Sequence, residues 1–211
     1  MNLMKKKISF IAVALLFACA ELCAQNFTLD DVCASLTKHA VTTGNFVQKK
    51  TSASLKKPLK SSGTFIISRE GILWNTKKPY ASQMAVTESK IIQTLPSGKK
   101  TVMDGSSNEI FKTVSKTVSS LFSGSKNSIE QNFNVVKFEA TASTWSLVLE
   151  PKDSTIAQVL KQVSVEGERK NSSAEFSKMN ISQSDTEILY EFTDRKYKDE
   201  LSAEEKLFFA E

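Results

Sequence analysis

The chain has 211 residues, a net charge of +5 and 40% hydrophobic residues, which suffices for one domain with a substantial core. Its basic residues are spread along the sequence, with no arginine-rich face, zinc-ligand spacing or helix-turn-helix pattern among them. These properties argue against nucleic acid as a partner.

The first residues are typical of an export signal. Lys5–Lys7 form a positive segment, and the apolar run over residues 8–20 is too short for a comfortable membrane span. We expect cleavage after Ala24, so that residues 1–24 form a signal peptide. Residues 25–211 would then form a single domain in the periplasm.

The cysteines leave two interpretations of this segment open. Cleavage after Ala24 would remove Cys19 and Cys23, and Cys33 would remain as a lone thiol without a disulfide partner. Alternatively, residues 16–19 act as a lipobox and Cys19 carries a lipid anchor. Both interpretations place the protein outside the cytoplasm.

An amphipathic helix is predicted after Thr28. Thr28 and Asp31 have the spacing of a weak capping box. The apolar stripe that follows, with a helix end near residues 42–44, consists of Leu29, Val32, Leu36 and Ala40.

Apolar and polar residues alternate from Asn45, which predicts strands. Short turns at Glu70-Gly71 and around Pro96 separate successive strands and predict hairpins. The predicted strands of this half begin at Asn45 and continue over residues 63–69, 72–74, 83–88, 90–95 and 99–103.

A second amphipathic helix is predicted between residues 105 and 124. Its apolar residues recur mostly at intervals of three and four, and Gly124 ends it. The stripe is typical of a core-facing helix, and the alternative is a lid over a ligand. It consists of Ile110, Phe111, Val114, Val118, Leu121 and Phe122.

The last third of the chain predicts a β-meander and a short terminal helix. A capping box from Ser202 to Glu205 starts that helix, and residues 207–209 could dock it. Short connections favour an antiparallel sheet. The predicted strands cover residues 133–141, 144–150, 159–165, 174–181 and 187–192.

Residues for catalysis or metal binding are scarce. His39 is the only histidine, there is no Gly-x-Ser-x-Gly motif, and no glycine-rich phosphate loop occurs. Scattered carboxylates leave a glycosidase open. We therefore predict no catalytic residue, no metal site and no cofactor, and a binding protein is favoured over an enzyme.

One stretch of the sequence resembles the periplasmic lipoprotein carrier (LolA-like) family. The resemblance is carried by Phe46-Val-Gln48, Gly63-Thr-Phe65, Arg69 and Trp74 with the following Lys78-Pro79. Where the family has proline after the arginine, this chain has Glu70, and Trp74 lies one residue closer to the arginine. These differences indicate a divergent branch.

The resemblance implies a mainly β fold with helices (α+β). Its strongly curved antiparallel sheet would be an incomplete β-barrel, with helices covering the concave apolar face. Arg69 would be a latch that holds the lid shut. The acyl-binding cavity would be lined by Phe46, Phe65, Ile67, Ile72, Trp74, Met84, Val86, Phe111 and Val114.

The implied function is a monomeric periplasmic carrier that is not an enzyme. It would shield the acyl chains of a lipoprotein or lipid, and shuttle them from an inner-membrane releasing complex to an outer-membrane acceptor. Two alternatives remain. One is a sensing module that binds a membrane regulator, and the other is an accessory protein of lipid export.

Overall fold

The computed structural model describes residues 27–87, 89–104 and 125–210. These residues are mainly β, with four short helices. The helices are α1 (Leu29–Leu36), α2 (Lys126–Asn132), α3 (Ser154–Val159) and α4 (Ala203–Lys206). The strands are β1 (Val41–Ser52), β2 (Leu59–Ser68), β3 (Gly71–Lys78), β4 (Ser82–Val86), β5 (Lys90–Thr94), β6 (Lys100–Asp104), β7 (Phe133–Ala140), β8 (Thr144–Pro151), β9 (Leu160–Lys170), β10 (Ser173–Gln183) and β11 (Thr186–Lys198).

All of these strands belong to one antiparallel sheet. Their order is β6-β5-β4-β3-β2-β1-β11-β10-β9-β8-β7, so the long strands β1 and β11 pair at its centre. The sheet does not close, because β6 and β7 remain edges. The predicted fold, an incomplete barrel with helices, is confirmed.

Each face of the sheet carries its own apolar core, as period-two alternation requires. On β2, Phe65 and Ile67 join a large inner core on the helix-covered face, whereas Ile66 points to the opposite side. We call the second cluster the outer core. It consists of Val41, Ile66, Leu73, Ala85, Ile92 and Leu201, with Phe208 and Phe209 packed against it.

A register shift at the centre of the sheet separates Thr43 from Asn45. Only glycine fits between them, because a Cβ on Gly44 would lie 2.8 Å from both the Phe65 ring and the Thr193 carbonyl oxygen. Such bulges bend a strand and increase its twist. This one lies where the two halves of the sheet meet.

Several element boundaries differ from the predictions. β1 begins at Val41, before Asn45, because Val41, Thr42 and Thr43 pair with both neighbouring strands. Ala40 therefore lies outside the helix, and β2 begins at Leu59. Helices α2 and α3 were not predicted; each is one or two turns long and begins at a side-chain cap, Ser125 and Asp153 respectively.

Other predictions agree closely or concern residues outside the described ranges. Thr28 and Asp31 form the capping box of α1, and Ser202 and Glu205 form that of α4. The signal peptide with Cys19 and the helix over residues 105–124 lie outside the described residues. No helix in the described part of the chain has both the length and the apolarity to cross a bilayer.

Candidate functional site

An apolar cavity lies between the helices and the second half of the sheet. It has a volume of about 340 Å³, which includes space open to solvent. Its wall is formed entirely by apolar side chains and one thiol. The lining residues are Leu29, Val32, Cys33, Leu36, Ile129, Trp145, Leu147, Val165 and Phe176.

Helix α1 covers this cavity with its apolar stripe. Leu29, Val32 and Cys33 are buried, and Leu36 is half-buried. The helix begins where it does because the Thr28 hydroxyl accepts a hydrogen bond from the Asp31 amide, while the Asp31 carboxylate accepts one from the Thr28 amide at 2.8 Å. Capping thus sets where the helix begins, and burial of the apolar stripe in the inner core turns that stripe toward the sheet.

Cys33 contributes an uncharged thiol to the wall. Burial raises its pKa to about 11, and the neighbouring Asp30 carboxylate acts in the same direction. The thiol therefore stays protonated at neutral pH and behaves as a small apolar group. No disulfide is formed by this residue.

The floor of the cavity depends on a close approach between two strands. The Trp145 indole N–H donates to the carbonyl oxygen of Glu175 at 3.3 Å, so its one polar group is satisfied. A Cβ on Gly167 would lie 2.0 Å from that oxygen and 2.4 Å from the indole nitrogen. Glycine at position 167 is thus required for Trp145 to lie flat against the sheet.

An aromatic cluster adjoins the cavity at the centre of the sheet. The rings of Phe65 and Phe176 are 5.9 Å apart, and Phe176 also lines the cavity. Phe46 and Trp74 meet edge-to-face at 5.2 Å. Phe65 and Phe192 do the same at 5.2 Å. These contacts connect the first half of the sheet to the cavity wall.

The predicted lining residues are not among the residues that line this cavity. Four of them are buried in the inner core: Phe46, Phe65, Ile67 and Ile72. Trp74 and Val86 are half-buried, and Met84 is 36% exposed. Strand pairing places Met84 opposite Trp74 and Val86 opposite Ile72, on the same face. Phe111 and Val114 lie outside the described residues.

A chain of two side-chain hydrogen bonds crosses the inner face near the aromatic cluster. Ser61 donates to the Gln48 carbonyl oxygen at 2.6 Å, and the Gln48 amide donates to the Tyr190 hydroxyl at 2.6 Å. Burial raises the pKa of Tyr190 to about 12, against the opposing effect of the Gln48 hydrogen bond. The three side chains thus meet one another's hydrogen-bonding needs on an otherwise apolar face of the sheet.

Arg69 lies in the turn between β2 and β3, where its side chain is exposed. Within the described ranges it makes no side-chain hydrogen bond or ion pair. Its position at the end of β2 follows from the strand ending at Ser68. A latch partner for Arg69 would have to come from outside those ranges.

A different arginine, Arg195, is bound to β10. It donates to the carbonyl oxygens of Phe176 (2.6 Å) and Phe192 (3.3 Å) and forms an ion pair with Glu175 at 3.0 Å. Burial alone would raise the pKa of Glu175, but the hydrogen bond and charge of Arg195 outweigh it and hold that pKa below its usual value. The β10–β11 ladder ends at Lys178 and Glu191, so Arg195 joins the strands where ladder bonds stop.

Arg169 holds the chain just before α1. Its guanidinium lies over the Phe27 ring, 4.4 Å from the centroid, and donates to the carbonyl oxygens of Thr141 (3.1 Å) and Asn171 (3.0 Å). The sequence pattern singled out neither Arg169 nor Arg195. Their roles depend on which hairpins the fold brings together.

Metal binding and histidine chemistry find no support in the described residues. They contain no group of three or more metal-ligating side chains. The His39 ring stacks on Tyr197 at 4.2 Å. The arrangement therefore provides an apolar compartment, which is lined by Leu, Val, Ile, Phe, Trp and Cys side chains of the described residues.

The sequence matches the family described as outer membrane lipoprotein carrier protein LolA over residues 37–207. The chain belongs to this family. The family's description as a lipoprotein carrier agrees with an apolar cavity as the main feature of the site. No curated protein matches the sequence significantly.

Solved structures with a similar fold are distant in sequence. A LolA superfamily protein from Nitrosomonas europaea is 10% identical, with 85% of this chain and 94% of that chain covered and a TM-score of 0.46. A DUF1329 family protein from Desulfovibrio piger is 10% identical, with 82% and 92% covered and a TM-score of 0.49. The lipoprotein LppX from Mycobacterium tuberculosis is 13% identical, with 82% and 96% covered and a TM-score of 0.40.

Proposed function

We propose that this protein is a periplasmic carrier that binds acyl chains of lipoproteins or other acylated envelope lipids in the cavity beneath α1. The observation that carries the proposal is the purely apolar lining of that cavity, in a chain of the LolA family. Each methylene removed from water contributes about 0.8 kcal/mol, so an acyl chain needs such a compartment to travel through water.

The size of the cavity limits what it holds as it stands. Only about 20 Å³ of the cavity is wide enough for the centre of a water-sized sphere, so as it stands the cavity is far smaller than a common ligand pocket of about 300–1,000 Å³. We propose that α1 moves outward when a longer or branched anchor enters. The inner-core residues Phe46, Phe65, Ile67, Ile72 and Trp74, with Met84 and Val86, would then extend the wall, as would Phe111 and Val114.

The proposed route runs from an inner-membrane releasing complex to an outer-membrane acceptor, with residues 1–24 acting as the export signal. We further propose that Arg69 acts as a latch for release. Arg69→Leu should then retain lipid binding and slow the transfer of a bound lipoprotein to acceptor membranes. Transfer at the wild-type rate would contradict the latch.

The carrier function is tested by purifying the protein from its own envelope and identifying bound lipids by mass spectrometry. We expect acylated molecules in amounts comparable to the protein. The absence of such lipids, together with no binding of a fluorescent fatty acid, would contradict the proposal. A stable complex with a membrane regulator and no lipid would instead favour the sensing module.

A matched pair of substitutions tests the location of the site. Leu147→Phe narrows the cavity, whereas Leu73→Phe adds the same volume to the outer core on the opposite face. Overpacking should cost each variant about 1–3 kcal/mol of stability. Only Leu147→Phe should lower the affinity for the fluorescent fatty acid, by about tenfold or more. Equal affinities of the two variants would place the site elsewhere.

A further inference from the structure

Three turns lie together at one end of the first half of the sheet. Because neighbouring strands from β1 to β6 run in opposite directions, every second turn falls at the same end. These are the turns between β1 and β2 (53–58), β3 and β4 (79–81), and β5 and β6 (95–99). We call this region the basic end.

Lysines concentrate at the basic end, and the acidic side chain beside it, Asp185 in the β10–β11 turn, accepts a hydrogen bond from the Ser52 hydroxyl at 3.3 Å. Between Val41 and Met103 the only acidic residues are Glu70 and Glu88, which belong to the turns after β2 and β4. None of the lysines of the basic end forms an ion pair with a described residue. They are Lys49, Lys56, Lys57, Lys60, Lys77, Lys78, Lys99 and Lys100, all exposed.

Strand register places two of these lysines in direct opposition. Lys49 on β1 pairs with Lys60 on β2, so their side chains leave the same face of the sheet side by side. Like charges directly opposite each other destabilise a ladder. Lys78 pairs with Ser62 and extends this group onto β3. The fold thus accepts a repulsive arrangement that an external anion would relieve.

Each of the three turns also exposes a large apolar side chain beside a proline. Tyr80 is 84% exposed, Leu59 57% and Leu95 41%. They follow or precede Pro79, Pro58 and Pro96 in the sequence. Exposed apolar side chains set among lysines are typical of segments that enter the interface of a membrane.

From this arrangement we infer that the basic end docks on the surface of an anionic phospholipid membrane. The lysines would contact headgroup phosphates, and Tyr80, Leu59 and Leu95 would enter the interfacial region. Lysine suits this role, since its charge sits on a flexible stem that needs no fixed partner geometry, whereas arginine favours bidentate recognition of a defined group. No arginine occurs at the basic end.

The basic end shares no residue with the lining of the cavity, and its docking does not depend on the nature of the cargo. Through this surface the protein would bind a membrane directly, without a protein receptor. Polybasic segments act only within about a Debye length of the surface, roughly 8 Å at physiological salt, so docking should be reversible and sensitive to salt.

The test is sedimentation of the purified protein with lipid vesicles. One set consists of phosphatidylcholine alone, and the other contains about one third phosphatidylglycerol, a charge density chosen to resemble an anionic leaflet. We expect binding to the anionic vesicles that falls with added salt. Absence of binding, or equal binding to both vesicle types, would overturn the inference.

Charge variants locate the surface. The combined substitution of Lys56, Lys57, Lys77 and Lys78 by Gln should weaken binding by about several hundredfold, since each lysine near the surface is worth about fivefold. The matched control replaces four exposed lysines elsewhere by Gln: Lys38, Lys178, Lys196 and Lys206. An equal loss in both variants, or no loss in the first, would contradict docking through the basic end.

A further variant keeps every lysine. Tyr80→Ser should weaken binding severalfold without changing the slope of the salt dependence, which an effect on folding would not reproduce. An acidic membrane protein as the true partner would give binding to native membranes that protease treatment abolishes, and none to lipid vesicles. That outcome would overturn the inference.

Discussion

At the residue scale, two charged groups and one thiol determine how the helices and the cavity are held. Arg195 supplies hydrogen bonds where the β10–β11 ladder ends, and Arg169 fixes the entry to α1. Cys33 and the other lining residues keep the cavity free of charge.

The Arg195–Glu175 pair should contribute to stability. Their side chains are 13% and 28% exposed, and removal of one leaves the other poorly solvated. We expect Arg195→Met to lower the free energy of urea unfolding by about 2–3 kcal/mol. Lys170→Gln breaks the exposed ion pair with Glu168 (3.7 Å) and should change the free energy of unfolding by less than about 0.5 kcal/mol. Similar losses of unfolding free energy in the two variants would contradict a stabilising role for the Arg195–Glu175 pair.

The same pair predicts a pH dependence. Because the pKa of Glu175 is lowered in the folded state, its contribution is present above the ordinary carboxyl pKa and is lost as pH falls through the folded value. Unfolding measured between neutral and acidic pH should therefore show a smaller acid-induced loss in Glu175→Gln than in the wild type. Parallel curves would show that Arg195 does not act through this carboxylate.

Cys33 gives a second prediction at this scale. Its raised pKa and burial should make reaction with a thiol reagent slow at mildly basic pH, with full reactivity only on unfolding. The reaction is measured on the chain that begins at Gln25, in which Cys33 is the only thiol. Fast reaction under native conditions would mean that α1 does not cover the cavity.

At the element scale, the fold uses terminal segments to cover apolar faces of the sheet. Helix α1 covers part of the inner face, and the segment after β11 covers the outer core with Leu201, Phe208 and Phe209. The Ser202–Glu205 capping box directs this segment back across the sheet, and Lys198 pairs with Glu205 at 2.6 Å. The C-terminal segment therefore belongs to the core and is not a tail.

A pair of leucines tests this role. Leu201 is 3% exposed in the outer core, whereas Leu207, in the same segment, is 66% exposed. We expect Leu201→Ala to cost about 2–4 kcal/mol in thermal or urea unfolding and Leu207→Ala less than about 0.5 kcal/mol. A small effect of Leu201→Ala would show that the segment is dispensable for stability.

At the scale of the whole molecule, alternation and turn chemistry were enough to predict an antiparallel sheet, and the family resemblance implied that it forms an incomplete barrel. Phe65 and Ile67 were correctly assigned to one face with Ile72 and Trp74, because register follows from the hairpin at residues 69–70. The sequence resemblance supplied the function class, and the match over residues 37–207 shows the family.

The cavity itself could not be located from sequence. Its wall combines α1 with Trp145, Leu147, Val165 and Phe176, which are far apart in the chain and meet only through the strand order. The stripe of α1 and the alternation of β8 were visible as patterns, yet nothing local shows that they face one another. Met84, which the resemblance placed in the cavity wall, is 36% exposed and lies opposite Trp74 on β3.

The central claim is that the space beneath α1 receives an acyl chain. The most direct measurement is photo-crosslinking with a fatty acid that carries a photoreactive group near its methyl end, followed by peptide mapping. We predict labelling within α1 and around Leu147, Val165 and Phe176, suppressed by excess unlabelled fatty acid. Labelling of outer-core peptides around Ile66 and Leu73 instead, or label that excess fatty acid does not suppress, would contradict the claim.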